Sequence, residues 1–99
     1  MAVSVTLFTG VAHNLQPRQP TQLYTGTTKC NNGLLITADS GNTKYVFVGA
    51  SSSITAGSGV ATDGYPMYPG KELFFPVRHP DSVYIVSDVS GQRAWYSGT

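Results

Sequence analysis

Charge is the scarcest commodity in this sequence. Of 99 residues, 11% are Asp, Glu, Lys or Arg, against about 25% in an ordinary domain. The net charge is +1. The six cations, Arg18, Lys29, Lys44, Lys71, Arg78 and Arg93, are scattered. No cluster is available to neutralise a phosphate backbone, which argues against a nucleic-acid partner. There is one cysteine, Cys30, so no disulfide can form within the chain. No apolar run approaches the roughly 20 residues of a membrane-spanning helix. Met1-Ala2-Val3-Ser4-Val5 has neither the basic start nor the long apolar stretch of a signal peptide. The expectation is a soluble protein made in a reducing cytoplasm.

Helix-forming runs are missing as well. Gly or Pro interrupts the chain so often that the longest clear run is Asp81 to Ser90, and Val, Ile, Tyr and Ser dominate it. A typical helix needs about 11–12 residues. What remains is strand material. Val3 to Phe8 alternates, with Val3, Val5 and Leu7 on one face and Gly10 as its stop. Pro17 and Pro20 make an extended arm of the segment before Thr21. Gln22 to Lys29 is a weaker strand, and Asn31-Asn32-Gly33 supplies the residues of a tight hairpin turn into Leu34–Ala38. Lys44 to Ala50 is apolar on both faces and fits a central strand. Lys71–Val77, Val83–Ser87 and Gln92–Ser97 complete the set.

The reading is all-β: a small antiparallel β-sandwich or barrel of about seven short strands, without significant helix. Residues 1–99 form a single β domain, in which 1–21 is an N-terminal strand and arm. A chain this size buries roughly 60–65% of its unfolded surface, enough for one core.

Several residues invite a chemical reading. Cys30 with His13 or His79 as base would make a nucleophile pair, but nothing in the spacing brings them together, and free cysteine is commonly buried. His79-x-Asp81 offers two metal ligands where a structural zinc site needs four. Pro80 and Asp81 are ordinary turn residues. Asp39, Asp63, Asp81 and Asp88 lie in or beside predicted turns, where Asp caps backbone amides. A glycosidase would need two of the carboxylates facing each other across a cleft. Gly57-Ser58-Gly59 lacks the Gly-Lys-[Ser/Thr] and the helix of a phosphate loop. The expectation is therefore no enzyme, no cofactor and no metal. The aromatics concentrate in the C-terminal half. Exposed together they would form a sugar-binding platform. The competing expectation puts Phe75 and Trp95 in the core and Tyr65, Tyr68 and Tyr96 at a protein interface.

The most informative stretch is Gly57 to Val77. Pro69-Gly70 fits the central positions of a type II turn. After it, Leu73, Phe75 and Val77 share one strand face, with Glu72 and Phe74 on the other. Pro76 places that strand at a sheet edge or bulge. Before it, Tyr65, Met67 and Tyr68 are large side chains on a proline-stiffened loop, which either fold back as a lid on the core or face a partner, and the partner contact is the expectation carried forward. The run Asp63-Gly64-Tyr65-Pro66-Met67-Tyr68-Pro69-Gly70-Lys71-Glu72-Leu73, followed by the strand Ser82–Ser87, resembles small all-β virion proteins of tailed bacteriophages. It follows their pattern of polar-Gly-x-Pro-x-x-Pro-Gly-x-x-Leu before two C-terminal strands. The resemblance spans Val46 to Tyr96. It implies a virion protein made in the host cytoplasm that decorates and cements the capsid shell. Its partners would be the major capsid protein and further copies of itself, a trimer by preference. Candidate interface residues are Tyr65, Met67, Tyr68 and Tyr96, together with Pro17 and Pro20 of the arm. A tail, adaptor or fibre-associated module and a carbohydrate-binding module remain the alternatives.

Overall fold

Leu34, Ile36 and Ala38 alternate with Leu35 and Thr37. This period of two puts the first three on one face of a strand and the others on the opposite face. The first three are buried and the other two half-buried in β3 (Leu34–Ala38). The same logic builds the rest of the computed structural model, which describes residues 6–12, 15–57, 59 and 61–99. The remaining strands are β1 (Phe8–Ala12), β2 (Thr21–Gln22), β4 (Val46–Gly49), β5 (Tyr65–Met67), β6 (Glu72–Phe75), β7 (Tyr84–Ser87) and β8 (Ala94–Gly98). Among the described residues the one helical element is a single 3-10 turn at Pro80–Ser82.

The strands form two antiparallel four-stranded sheets, ordered β1-β8-β3-β6 and β2-β7-β4-β5. Strand β1 pairs with β8, β2 with β7, β3 with β6 and β4 with β5. The chain is thus one long hairpin, with its tip between β4 and β5, rolled up on itself. The β3–β8 and β4–β7 ladders then join the pairs into two sheets. This is an eight-stranded jelly-roll sandwich, not a closed barrel.

The core lies between the sheets. Leu34, Ile36, Ala38 and Ala94 from one sheet meet Val46, Val48, Met67 and Ile85 from the other, all at most 1% exposed. Each fully buried Val, Leu, Ile or Met contributes about 1.5–3 kcal/mol. Phe8, Leu73, Phe75, Val77 and Tyr96 are half-buried and pack against this cluster. At the β1 end the aromatics do a further job. Tyr96 lies across Gly10, where any β-carbon would collide with its ring. Phe8 stacks on Tyr24 at 4.2 Å, and Tyr24 meets Tyr96 edge-on at 5.8 Å. Rings folded over strand glycines restore the contact that a missing side chain leaves open.

The structure corrects several expectations. The first described strand is Phe8–Ala12, and Gly10 lies in its middle because Tyr96 covers it. Leu7 is 40% exposed, and the expected positions Val3 and Val5 lie outside the described residues. Of the expected strand Gln22–Lys29 only Gln22 is in a strand, paired into the two-residue β2 with Thr21 of the arm. Asn31-Asn32-Gly33 makes no hairpin, since β2 and β3 belong to different sheets. Instead all three amides donate to the main-chain oxygen of Thr99, at 2.9, 2.8 and 3.3 Å. Residues Tyr65–Met67 are a strand, not a loop.

Other expectations match the structure. Strand β6 is a sheet edge, one of the two settings Pro76 left open, although it stops at Phe75, so that Pro76 and Val77 fall just beyond it. Gly70 has φ +86°, and the Lys71 amide donates to the Tyr68 oxygen at 2.9 Å, closing the Pro69-Gly70 turn.

Candidate functional site

Two surfaces carry exposed aromatic side chains, one on each sheet. The first surrounds edge strand β5. Tyr45, Tyr65 and Tyr68 are each about half exposed. Tyr45 enters β4, Tyr65 opens β5, and the β4–β5 register sets Val48 opposite Tyr65 and Val46 opposite Met67. The tight turn after Tyr68 brings Lys71 back, so that its Nζ lies 5.7 Å from the Tyr65 ring centre and 5.2 Å from that of Tyr68. A cation over two ring faces is attracted by their quadrupoles. Tyr45 in turn meets Tyr68 and Phe47 at 6.4 Å. The result is a patch of four rings and one cation, with the tyrosines held in place by their neighbours.

Met67 separates from its flanking tyrosines. It is fully buried, facing the core opposite Val46, whereas Tyr65, two residues earlier on the same face, stays half exposed where β5 begins. Its side chain is therefore not available to a partner, contrary to expectation. Tyr96 is likewise drawn inward, over Gly10 and against Phe8 and Tyr24. The proline arm is docked on its own chain. Pro17 bridges to Ser87, the Arg18 amide donates to the Ser87 oxygen at 2.7 Å, and Arg18 Nε donates to Asp88 Oδ1 at 2.8 Å. Pro17 is exposed and Pro20 half-buried. Arg18 has a left-handed backbone, φ +59°, rare for a residue with a side chain. Its ion pair borders a cavity of about 410 Å³ closed on the other side by Thr55, Ala56 and Gly57.

The second surface is the outer face of the β1-β8-β3-β6 sheet. Trp95 is 47% exposed there, not in the core. Its parity in β8 points Ala94 inward and Trp95 outward. The indole Nε1 donates to Asp39 Oδ1 at 2.9 Å. Asp39 also accepts from the Gly41 amide at 3.1 Å and lies 3.4 Å from Arg93 Nε. The indole bond, more than the Arg93 charge, holds the Asp39 carboxyl below its usual pKa. Thr9, Leu35, Thr37 and Ser97 line a shallow groove of about 260 Å³ beside the ring. This feature could not be seen in the sequence, since Asp39 and Trp95 stand 56 positions apart.

The other singled-out residues have local roles. Cys30 is buried, and burial raises its thiol pKa, which disfavours the nucleophilic thiolate. His79 is exposed at the start of the 3-10 turn, and His13 lies outside the described residues. Asp63 accepts from Thr55 Oγ1 at 2.6 Å and from the Gly59 amide at 2.7 Å. Among the described residues no three His, Cys, Asp or Glu side chains gather as a metal site. Ser58 of the glycine loop lies outside the described residues.

Comparison of the chain with known protein families, with curated proteins and with solved structures finds no match.

Proposed function

We propose that this protein is a non-enzymatic structural component of a phage particle, and that it decorates and stabilises the capsid shell as a homo-oligomer. The observation that carries this reading is the β5 patch. Three half-exposed tyrosines are held by ring–ring and cation–ring contacts on a molecule with very few charges. Tyrosine offers large contact area with little rotamer entropy to lose, and it is enriched at protein interfaces. With so little charge, affinity must come from apolar and hydrogen-bonded contact rather than from long-range steering. Many copies on one lattice turn weak contacts into avidity. A trimer at a local three-fold axis is the simplest such arrangement.

One observation favours a second reading, a carbohydrate-binding module. Trp95 is exposed, orientationally fixed by Asp39, and flanked by the hydroxyl residues Thr9, Thr37 and Ser97. A flat indole stacks on the C–H face of a sugar ring while neighbouring hydroxyls bond its OH groups. Jelly rolls occur in viral capsid proteins and in lectins alike, so the fold does not choose between the two. The test is to mix purified protein with capsids that lack it, then measure binding and the temperature at which the shells rupture. Binding with a raised rupture temperature, lost on joint Tyr65→Ser and Tyr68→Ser substitution, is the expected result. Binding to tail assemblies or soluble glycans with capsids untouched would overturn it.

A further inference from the structure

A jelly roll has four sheet edges, and every edge strand exposes unpaired backbone groups that can template another strand. Three of the four edges here carry a recognised safeguard. Strand β2 is two residues long and follows Pro17 and Pro20. Strand β5 contains Pro66, whose ring removes a donor. Strand β6 begins at Glu72, just after Lys71, and runs into Pro76. Short strands, proline and charge all discourage edge-to-edge pairing.

Strand β1 has none of these. Its sequence is Phe-Thr-Gly-Val-Ala, five residues without proline or charge, and the first Asp, Glu, Lys or Arg of the chain is Arg18. It pairs with β8 on one side. Among the described residues no other strand is hydrogen-bonded to its second side. Five residues give an open edge about 17 Å long.

From this contrast we infer that β1 is an interface, and that its partner is β1 of a second copy, paired antiparallel about a two-fold axis through Gly10. The strand is self-complementary in that register. Gly10 faces Gly10, Thr9 faces Val11 of the partner, and Phe8 faces Ala12. The Thr9–Val11 pairs lie on the outer face, where β-branched neighbours across a ladder stabilise each other. No charge meets a like charge, because the strand carries none. The inner face is already filled by Tyr96 over Gly10, so pairing needs no rearrangement of the core. The two β1-β8-β3-β6 sheets become one continuous eight-stranded sheet, and their outer faces, each with its Trp95, lie on the same side. A two-fold contact of this kind closes at two chains. The inference concerns the free protein, which it sets at two chains in place of the three-fold arrangement named for the shell, and it stands or falls without a capsid.

Sedimentation equilibrium on the full chain tests it. The wild type is expected at the mass of two chains. Thr9→Lys places a charge on the exposed edge next to the axis and is expected to yield single chains with unchanged far-ultraviolet circular dichroism. Phe74→Lys, on the same outer face but at the opposite edge, is expected to remain at two chains. Cross-linking checks the register. In a Cys30→Ser background, Thr9→Cys with Val11→Cys should give oxidised dimers, since facing residues of a ladder have Cα atoms about 4.5–5.5 Å apart, within disulfide reach. A monomeric wild type, a three-chain mass untouched by Thr9→Lys, or dissociation by Phe74→Lys alone would each overturn the inference.

Discussion

Met67 and its neighbours Tyr65 and Tyr68 should fail in different ways when truncated, and the difference separates folding from contact. Met67 is fully buried between the sheets opposite Val46. Truncation to Ala removes its transfer free energy and leaves a cavity, a loss of about 2–5 kcal/mol. Taking about 3 kcal/mol, and 4–8 °C per kcal/mol for a domain of this size, Tm should fall by roughly 12–24 °C. Tyr65 and Tyr68 are half exposed. What the fold loses with them is chiefly the two contacts with Lys71, about 0.5–1 kcal/mol each at an exposed site, and the Tyr45–Tyr68 ring contact, about 0.5–1.5 kcal/mol. The double Ser variant should therefore lower Tm by roughly 6–28 °C and remain folded at room temperature. Lys71→Met is the control, because it deletes the same two cation contacts and keeps the rings. Calorimetry and capsid binding are measured on all three variants. The reasoning requires that the Tyr variant lose binding while folded, that Lys71→Met keep most of it, and that any Met67→Ala protein still folded keep it too. Equal loss of binding in the Lys71 and Tyr variants would show that the cation, not the aromatic surface, makes the contact. A Met67→Ala protein with unchanged Tm would refute the burial argument.

Two further outcomes follow from individual groups. The Asp39 pKa is depressed in the fold, first by the Trp95 indole bond. Its contribution is present above the unfolded carboxyl pKa of about 3.9 and fades as pH falls through the lower folded value. Trp95 is the sole tryptophan, so its fluorescence should change with a midpoint below about 3.9, and Asp39→Asn should abolish that transition. Cys30→Ser should leave capsid binding intact at a modest cost in Tm, because the thiol is buried. A folded Cys30→Ser protein that no longer binds would reveal a role for the thiol.

Local chemistry was legible in the sequence where one residue type permits one answer. Pro69-Gly70 declared its turn because Gly70 takes a positive φ at no steric cost. Pro76 declared an edge or a bulge because it lacks a donor, and the edge is what the structure shows. Leu34–Ala38 declared a strand, but with Leu34, Leu35 and Ile36 all apolar its buried face emerged only from the packing. Pairing was not legible, since β1 meets β8 and β2 meets β7 across most of the chain, and no local signal encodes that distance. Trp95 shows a second limit. Hydrophobicity assigns tryptophan inward, yet parity along β8 makes Ala94, Tyr96 and Gly98 the inner set, and register overrules the single residue. Met67 is the converse: it looked like a loop contact because Pro66 hid a three-residue strand. The same strand explains why the site was only half visible. Tyr65 and Tyr68 were evident as large side chains between prolines, but Tyr45 joined them only through the β4–β5 ladder.

The rolled hairpin also orders the folding reaction. Fifteen residues separate Gly49 from Tyr65, and 81 separate Ala12 from Ala94. Closing the longer loop in an otherwise unfolded chain costs about 1.5 kcal/mol more. Once β4 and β5 pair, they shorten the loop that β3 and β6 must close, and so on outward, so the pairs should form from the tip towards β1 and β8. Topologies dominated by such distant pairings fold slowly. Truncating Val48 in β4 should therefore mainly slow folding, whereas Ala94→Gly in β8 should mainly speed unfolding. Stopped-flow kinetics on the two variants checks this, and the reverse assignment would refute outward zipping. The last pair to form should also be the first to open. Amides of β1 should then exchange with solvent ahead of those in β4. If β1 is paired with a second copy, that early exchange should slow as protein concentration rises and stay fast in Thr9→Lys. Exchange of β1 that ignores concentration in the wild type would count against the shared edge.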